Sequence, residues 1–329
     1  MPSINASGDS AIEELLTRLA QAERRAIARC LTEVEATTPP KNSFIRALAR
    51  KVTGRAVIGI TGPPGAGKSS LANALAKTWR QTNRTVGILA VDPSSPHSRG
   101  SILGDRVRMS TALQDCGVFV RSLASNGHLG GLTPTAIRMI DVFDAAGFDR
   151  IVLETVGTGQ SEIDVFEVTD VRIVVIPPGL GDDIQAIKSG LLEIADIIVI
   201  SKADQPEADA TAQQLAGAVS LRSDESSKPQ IAIVSVLSEK GIKDLSSKID
   251  KLTAATDATT LQARRKRRAR YLVTKIAMKR VQERIARDTE SGETENLVDA
   301  ILDGTSTPED AVETILERLL TETSSPHSP

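Results

Sequence analysis

Short apolar runs alternate with longer amphipathic stretches through the middle of the chain, residues 52–255. The runs are rich in Ile and Val and apolar on both faces, as strands buried inside a parallel sheet should be: RAVIGIT, TVGILAV, GVFVRSL, DRIVLET, DVRIVVI, ADIIVIS and PQIAIVSV. Helix-length segments separate most of them, among them GKSSLANALAKTWRQ, TPTAIRMIDVFDAAG and DIQAIKSGLLEIA. This rhythm predicts an α/β domain whose mostly parallel central sheet carries helices on both faces.

The residues on either side of this domain have helical periodicity. Before it, one apolar stripe continues to the two prolines of TTPPKN, which cannot extend a helix; the stripe consists of Ile12, Leu15, Leu16, Leu19, Ala22, Ile27 and Leu31. After it, LQARRKRRARYLVTKIAMKRVQERIAR predicts a long helix, and TSTPEDAVETILERLL predicts another with Thr307 as N-cap and Pro308 at its first position. Neither flank can form a core alone, so we expect an N-terminal extension (1–51) and a C-terminal arm (256–329) to pack on the central domain or on a second subunit.

Composition and charge narrow the class of protein. The chain has 329 residues, 40% of them hydrophobic, and a net charge of −2, which argues against nucleic acid as the main partner. We therefore expect the basic segment RRKRRAR, residues 264–270, to be a solvated helix near a dimer or partner surface. Cys30 and Cys116 are expected to be reduced packing residues. Without a secretory signal or an apolar stretch of membrane-spanning length, the sequence predicts a cytoplasmic protein with no membrane partner.

The segment GITGPPGAGKSS contains the spacing Gly-x-x-x-x-Gly-Lys-Ser between a predicted strand and a predicted helix, the context of a phosphate-binding P-loop. Gly65 and Gly67 let backbone N–H groups turn toward phosphate oxygens, Lys68 reaches the β- and γ-phosphates, and Ser69 offers its hydroxyl to Mg²⁺. The sequence thus predicts a P-loop NTPase whose phosphate-binding residues are Gly65, Ala66, Gly67, Lys68, Ser69 and Ser70.

Acidic residues follow two of the predicted strands, at the edge where open α/β sheets bind ligands. Asp92 follows VGILAV, and Glu154 follows DRIVL and begins ETVGTGQ. Glu154 can hold a Mg²⁺-bound water or orient the attacking water, and Gly157 can bring its N–H close to a γ-phosphate. We predict catalytic or metal-binding roles for Asp92 and Glu154. A third acid, Asp105, lies in RGSILGDRVRM, and its position alone favours a helix cap over a functional role.

The segment ISKADQ follows a buried strand and resembles the Asn-Lys-x-Asp loop of guanine-nucleotide proteins, with Ser201 in place of Asn. The carboxylate of Asp204 can accept hydrogen bonds from N1–H and N2–H₂ of guanine, which adenine lacks, and Lys202 can lie over the base. Leaving such an acceptor unpaired costs about 1–3 kcal/mol, so Asp204 favours GTP over ATP. A second loop is expected to place a backbone N–H on the guanine O6: Ser235, Val236 and Leu237.

A third segment, PPGLGDDIQAIKSG, has two open interpretations. In the first interpretation the segment is a β–α connection exposed to solvent, with its two adjacent acids in the loop and Gln185 and Lys188 on one face of the helix that follows. Alternatively, Asp182, Gln185 and Lys188 belong to a switch that senses nucleotide and contacts a partner.

Three stretches together are more specific than any generic GTPase motif: AVDPSSPHSRGSILGDRVRM, LETVGTGQSEIDV and VIPPGLGDDIQAIKSGLLEIADIIVISKAD. They closely resemble the family of methylmalonyl-CoA mutase-associated GTPases, the MeaB or ArgK-type family, and the resemblance covers most of the chain. It implies that Lys68 and Ser69 bind phosphate and Mg²⁺, and that Asp92, Asp105 and Glu154 surround the metal and γ-phosphate. The family commonly has Asn where this chain has Ser201, which puts the affinity for guanine in question more than its choice.

The resemblance also implies a role and partners. Members of the family are homodimers built through the C-terminal arm and act as chaperones of the adenosylcobalamin-dependent methylmalonyl-CoA mutase, gating cofactor loading and protecting the enzyme from inactivation. Intrinsic GTP hydrolysis is expected to be slow and stimulated by the partner. Two alternatives remain: a nickel metallochaperone GTPase, which the scarcity of His and the lack of CxxC disfavour, and an ATP-dependent kinase of a transport protein, which the Lys-Ala-Asp loop disfavours.

Overall fold

The computed structural model describes residues 6–36, 42–92, 115–124, 132–155, 161–179, 191–220, 228–254, 257–290 and 292–322. The chain divides into two compact units, Met1–Ala269 and Arg270–Pro329. The first contains the strands β1 (Val57–Thr61), β2 (Val86–Asp92), β3 (Val118–Ala124), β4 (Arg150–Thr155), β5 (Val171–Ile176), β6 (Ile197–Ile200) and β7 (Gln230–Ile233).

The helices of the first unit are α1 (Ala6–Ala20), α2 (Arg24–Glu35), α3 (Asn42–Lys51), α4 (Lys68–Arg80), α5 (Pro134–Ala145), α6 (Ser161–Val168), α7 (Leu191–Ile194), α8 (Glu207–Ser220) and α9 (Ile242–Thr253). Helix α10 (Ala258–Glu290) starts in the first unit and continues into the second, which also contains α11 (Glu293–Leu302) and α12 (Pro308–Glu322). The predicted cap of α12 is confirmed, since the amide of Asp310 donates to Oγ1 of Thr307 at 3.1 Å.

The strands form one sheet in the order β3-β2-β4-β1-β5-β6-β7, and every neighbouring pair is parallel. The predicted α/β fold with a parallel sheet is therefore confirmed. Strand β1 lies between β4 and β5, and the chain turns from one side of β1 to the other at this point. In open α/β sheets the carboxyl ends of strands at such a switch point form the ligand-binding crevice.

Helices cover both faces of the sheet, as alternate residues of β1 show. Ile58 and Ile60 belong to a buried cluster with residues of α4 and α9, including Trp79 and Leu245. Gly59 points to the other face, where an added Cβ would lie only 2.8 Å from Cγ2 of Thr169, just after α6. Because successive strand residues face opposite sides, the two sets of helices sandwich the sheet.

Aspartates at the amino ends of the strands hold adjacent strands in register. Asp149 accepts from the amide of Thr85 at 2.8 Å, and Asp196 accepts from the amide of Arg172 at 2.7 Å. Each acid directly precedes one strand and binds at the start of its neighbour. These carboxylates stabilise the edge of the sheet opposite to the predicted nucleotide site.

The single N-terminal helical stripe expected from the sequence is divided into α1 and α2. Ala22 has φ of 56°, a left-handed conformation, and its amide donates to the carbonyl of Leu19 while that of Glu23 donates to the carbonyl of Arg18. This pair of bonds is a Schellman motif, which ends a helix. The side chains of Arg18 and Glu23 close the same turn with a bidentate ion pair. Helices α2 and α3 then pack on α5.

The expectation that residues 264–270 form a solvated basic helix is wrong for Arg264 and Arg268, which are buried. Arg268 is only 2% exposed and its Nη2 lies 2.9 Å from Oδ2 of Asp144. Arg264 is also buried, and both it and Arg267 pair with Asp170. These charges are tolerated because each meets an opposite charge.

The two cysteines have different environments. Cys30 is buried, and its burial raises the thiol pKa to about 12, in agreement with a packing role. Cys116 is exposed, so the expectation of a packing role is wrong there.

Candidate nucleotide-binding site

The P-loop between β1 and α4 has the backbone that phosphate binding requires. Gly62 has φ of 142°, and an added Cβ would lie 2.1 Å from the carbonyl oxygen of Val175 in β5. Gly67 has φ of 89° and is the N-cap residue of α4, where it has no side chain that could bond the helix amides. At Gly65 and Gly67 an added Cβ would meet no atom of the described residues within 4 Å, so the described part of the structure leaves this side of the loop open. An open loop at a helix N-terminus is an anion-binding site.

Lys68 lies along the inside of this loop. Its Nζ donates to the carbonyl oxygens of Gly62 at 2.7 Å and Pro63 at 2.9 Å, and the side chain is buried. The ammonium group is thereby held at the start of the loop, where a point charge can act on bound phosphates. Ala66 is buried and Ser70 is half-buried beside it.

Ser69 and Glu154 join the P-loop helix to the end of β4. Oγ of Ser69 donates to Oε1 of Glu154 at 2.5 Å, and the carboxylate is only 5% exposed. In the sheet, Glu154 has Ile60 of β1 and Ala90 of β2 as its two neighbours. A hydroxyl and a carboxylate are hard oxygen ligands of the kind that Mg²⁺ prefers. The donor set therefore fits Mg²⁺ bound beside a nucleotide.

The other predicted acids are placed only in part. Asp92 is the last residue of β2, where its backbone pairs with Ala124, and its side chain is outside the described part of the structure. Asp105, Gly157, Asp182, Gln185 and Lys188 all lie outside the described residues, so their roles stay predictions.

A pair of buried threonines behind the site was missed by sequence reasoning. Oγ1 of Thr155 donates to Oγ1 of Thr61 at 3.3 Å, linking the residue before the P-loop glycine to the residue after Glu154. Thr61 and Thr155 both stand next to motif residues in sequence. That adjacency was the available signal, although it does not show that the two strands are neighbours.

The predicted base-recognition loops lie together at the ends of β6 and β7. Oγ of Ser235 donates to Oδ1 of Asp204 at 2.5 Å, and this bond holds the pKa of the Asp204 carboxyl below its usual range. Ala203 donates its amide to the carbonyl of Val234 at 2.9 Å. Lys202 is exposed and has φ of 52°. The ionised carboxylate is thus fixed at the open edge of the sheet.

Ser201 is buried and braces the neighbouring strand. Its amide donates to the carbonyl of Ile176 at 2.9 Å, and its Oγ approaches the same oxygen at 3.3 Å. In the second loop, the amide of Ser238 donates to Oγ of Ser235 at 3.3 Å. Val236 is half-buried, whereas Leu237 is 87% exposed.

The described residues thus form two clusters at the carboxyl ends of the strands. One consists of the P-loop, Lys68, Ser69 and Glu154, and the other of Ser201, Asp204 and Ser235. Their roles in binding phosphate and base stay predictions. Within the described residues no helix has the length and apolar character needed to cross a bilayer.

Comparison with known proteins agrees with this geometry. The family model described as "Methylmalonyl Co-A mutase-associated GTPase MeaB" matches residues 27–290. A putative GTPase of Pyrococcus abyssi is 39% identical over 315 residues, which cover 94% of this chain and 97% of that protein. The GTPase ArgK of Escherichia coli is 36% identical over 264 residues, covering 77% and 80%.

Two further similarities concern a mammalian protein and a solved structure. A mouse protein named as a mitochondrial homolog of methylmalonic aciduria type A is 36% identical over 207 residues, covering 59% of this chain and 50% of that protein. A crystal structure described as a LAO/AO transport system kinase covers 97% of this chain and 100% of its own, with a TM-score of 0.71 at 25% identity.

Proposed function

The chain belongs to the family of methylmalonyl-CoA mutase-associated GTPases, and we propose that it is a GTP-hydrolysing chaperone of an adenosylcobalamin-dependent methylmalonyl-CoA mutase. In this role it gates cofactor loading and protects the mutase from inactivation. The observation that carries the GTPase part is the bond from Ser69 to Glu154, which places a buried carboxylate at the P-loop. The name of the family supports the partner.

Hydrolysis depends on positioning and charge stabilisation. Lys68 places a positive charge inside the loop, and α4 directs its N-terminus at the phosphates. Mg²⁺, when bound, neutralises charge on the phosphate oxygens, and Ser69 and Glu154 would hold it directly or through water. Asp92 and Asp105 are proposed to complete that set. Glu154 is also suited to orient the attacking water, while Gly157 is proposed to approach the γ-phosphate.

We expect slow intrinsic turnover, accelerated by the partner. The P-loop GPPGAGKSS and the motif ETVGTGQ contain no arginine that could stabilise the developing charge from within the site. Asp182, Gln185 and Lys188 remain proposed contacts of a nucleotide-sensing switch with the mutase.

The first experiment separates hydrolysis from folding. Lys68→Ala should abolish phosphate release from GTP, whereas Lys251→Ala, an exposed lysine of α9, should leave it unchanged. Normal turnover in a folded Lys68→Ala variant would contradict the proposed P-loop mechanism.

The second experiment addresses the partner. The protein is mixed with purified mutase in the presence of GDP or a non-hydrolysable GTP analogue, and association and GTPase rate are measured. Nucleotide-dependent association with a faster rate is expected. If the two proteins do not associate with either nucleotide, the chaperone role is wrong and the GTPase assignment stands alone.

We further propose a homodimer through the C-terminal arm and a cytoplasmic location. The second unit exposes large apolar side chains, a composition suited to an interface: Val273, Met278, Val298, Leu302, Val312 and Leu316. Sedimentation of the full chain and of a variant with Leu302 and Val273 changed to Ser tests the dimer.

One second candidate has specific support, namely phosphorylation of a transport protein, because the similar solved structure is described as a transport system kinase. In that case ATP should displace GDP at comparable concentration. Failure of ATP to compete at a hundredfold excess, about 2.7 kcal/mol of discrimination, would exclude it. For nickel delivery, the remaining alternative, equilibrium dialysis should show a tight Ni²⁺ site.

A further inference from the structure

The start of α10 is attached to the opposite edge of the sheet from the nucleotide site. Nη2 of Arg267 lies 2.5 Å from Oδ1 of Asp170 and 2.9 Å from the carbonyl oxygen of Thr169. Nε of Arg264 approaches the same carboxylate oxygen at 3.4 Å. Asp170 is thus the common partner of two arginines one helical turn apart.

Asp170 is also fixed to β1, the strand that leads into the P-loop. Its Oδ2 accepts from the amide of Val57 at 2.8 Å, and its own amide donates to the carbonyl of Val57 at 2.7 Å. Strand β1 ends at Thr61, directly before Gly62 of the P-loop. Through Asp170, the arginines are therefore linked to the first residue of β1, and the last residue of β1 leads into the phosphate loop.

Helix α6 provides a second connection between these two edges. It is the first helix after Glu154, and Thr169 and Asp170 directly follow its last residue. It packs on β1 with unusually close contact, since a Cβ on Gly59 would lie 2.8 Å from Cγ2 of Thr169 and 3.0 Å from Cγ1 of Val165. Packing and hydrogen bonds therefore hold Thr169 and Asp170 to β1, so the carboxylate that the arginines bind is part of the sheet.

We propose that Asp170, Arg264 and Arg267 form a latch that couples the nucleotide site to the start of helix α10 through β1, with Arg267 as the group that detaches. Because coupling between two sites is reciprocal, a partner that holds α10 in one arrangement also changes the relative affinity for GTP and GDP. The latch rests on the proposed function, since it requires a bound nucleotide. It assigns these three residues a regulatory role beyond the nucleotide site.

The latch has the chemistry of a reversible attachment. The Asp170 carboxylate is buried, whereas Arg267 is half-exposed, so Arg267 can leave its partner and be solvated. Arg264 is buried and would keep the carboxylate paired meanwhile. Two arginines on one carboxylate therefore allow two arrangements without leaving a buried charge alone.

Hydrogen exchange of the full chain tests the latch. Amides of residues 258–269 and of the P-loop are followed with GDP and with a non-hydrolysable GTP analogue, both with Mg²⁺. In the unchanged protein, exchange in residues 258–269 should differ about fivefold between the two nucleotides, the lower range of common coupling factors. Arg267→Met should abolish that difference while P-loop protection by both nucleotides remains. Arg267→Lys, which keeps the charge, should restore part of it.

Lys266→Met is the matched control, because Lys266 is the exposed neighbour of Arg267 in the same helix. It should leave the nucleotide-dependent difference intact. If Arg267→Met does not fold, Arg267→Gln, which removes the charge but keeps a donor for the carbonyl of Thr169, takes its place with the same expected loss.

Two outcomes overturn the latch separately from the GTPase. Equal exchange of residues 258–269 with both nucleotides, while the P-loop responds, contradicts the latch alone. The same holds if the difference persists in a folded Arg267→Met variant. A P-loop that responds to neither nucleotide would instead contradict the proposed function, and the latch with it.

Discussion

The hydroxyl of Ser69 donates to the carboxylate of Glu154 at 2.5 Å, across two elements separated by 85 positions in sequence. Ser69 lies in the first turn of α4, whereas Glu154 is the penultimate residue of β4. Their contact depends on the insertion of β4 beside β1 in the sheet order. The pair therefore links the nucleotide-binding loop to the strand that precedes ETVGTGQ.

Glu154→Gln should raise the Mg²⁺ concentration needed for half-maximal GTP hydrolysis by roughly 10–100-fold, the usual effect of losing a group that supports a metal. The amide keeps the shape of the side chain but loses the charge. Glu167→Gln, an exposed acid in α6, serves as control and should change nothing. Titration of the rate with Mg²⁺ measures both, and an unchanged Mg²⁺ requirement in Glu154→Gln would show that Glu154 does not hold the metal.

Ser235→Ala should make guanine binding more sensitive to acid. The Ser235 hydroxyl lowers the pKa of Asp204, so its removal moves that pKa back toward the usual range. The ionised carboxylate accepts hydrogen bonds from guanine. On acidification, the Ser235→Ala variant should therefore lose its affinity for GDP at a higher pH than the unchanged protein does.

The control for this change is Ser238→Ala. The backbone amide of Ser238, not its hydroxyl, donates to Ser235. The loss of GDP affinity on acidification should therefore be the same in Ser238→Ala as in the unchanged protein. Fluorescence titrations of GDP between neutral and acidic pH compare the three proteins. Superimposable pH profiles for Ser235→Ala and the unchanged protein would contradict the positioning of Asp204 by Ser235.

Ser201→Asn should tighten guanine-nucleotide binding by about 2–10-fold, corresponding to one added hydrogen bond of about 0.5–1.5 kcal/mol. Ser201 is buried and, among the described residues, its hydroxyl bonds the carbonyl of Ile176, so a longer amide can brace the neighbouring loop as well. The ratio of GTP to ATP affinity should stay the same, because Asp204 makes that choice. Competition binding measures both quantities, and a change of preference would mean that the loop does not recognise guanine as described.

The strands and the P-loop could be predicted from sequence because their signals are local. Ile and Val runs mark each buried strand, and Gly67-Lys68-Ser69 is contiguous. The burial of Arg268 could not be predicted, because its partner Asp144 lies 124 positions away and a run of arginines alone looks like a solvated surface. The break at Ala22 was equally hidden, since a left-handed helix end usually uses glycine.

Asp144→Asn should lower the free energy of unfolding by about 3–5 kcal/mol, the range for breaking a buried pair on one side. Its carboxylate is fully buried and accepts from the amides of Thr53, Gly54 and Arg55 as well as from Arg268. The amide of Asn has one acceptor oxygen and one NH₂ group, so its NH₂ would face N–H donors that now bond the carboxylate.

Asp149→Asn is the matched comparison, since Asp149 also accepts a backbone amide but is exposed. It should cost less than about 1 kcal/mol, as exposed pairs do. Urea unfolding curves of both variants give the two numbers. Equal midpoints would show that Asp144 does not hold the linker before β1 in place.

Asp141→Asn should stabilise the protein at neutral pH and have no such effect in acid. Asp141 lies in α5 one turn before Asp144, and burial raises its pKa to about 6, partly opposed by Arg268. Because the folded-state pKa exceeds that of the unfolded chain, the folded state binds more protons between about pH 4 and pH 6, and stability falls as pH rises through that window. The substitution removes this cost, so the gain should grow from near zero at pH 4 to about 3 kcal/mol above pH 6. Urea unfolding at a series of pH values measures it, with Glu167→Gln as the exposed control. A gain that is the same at every pH would show that ionisation of Asp141 is not its source.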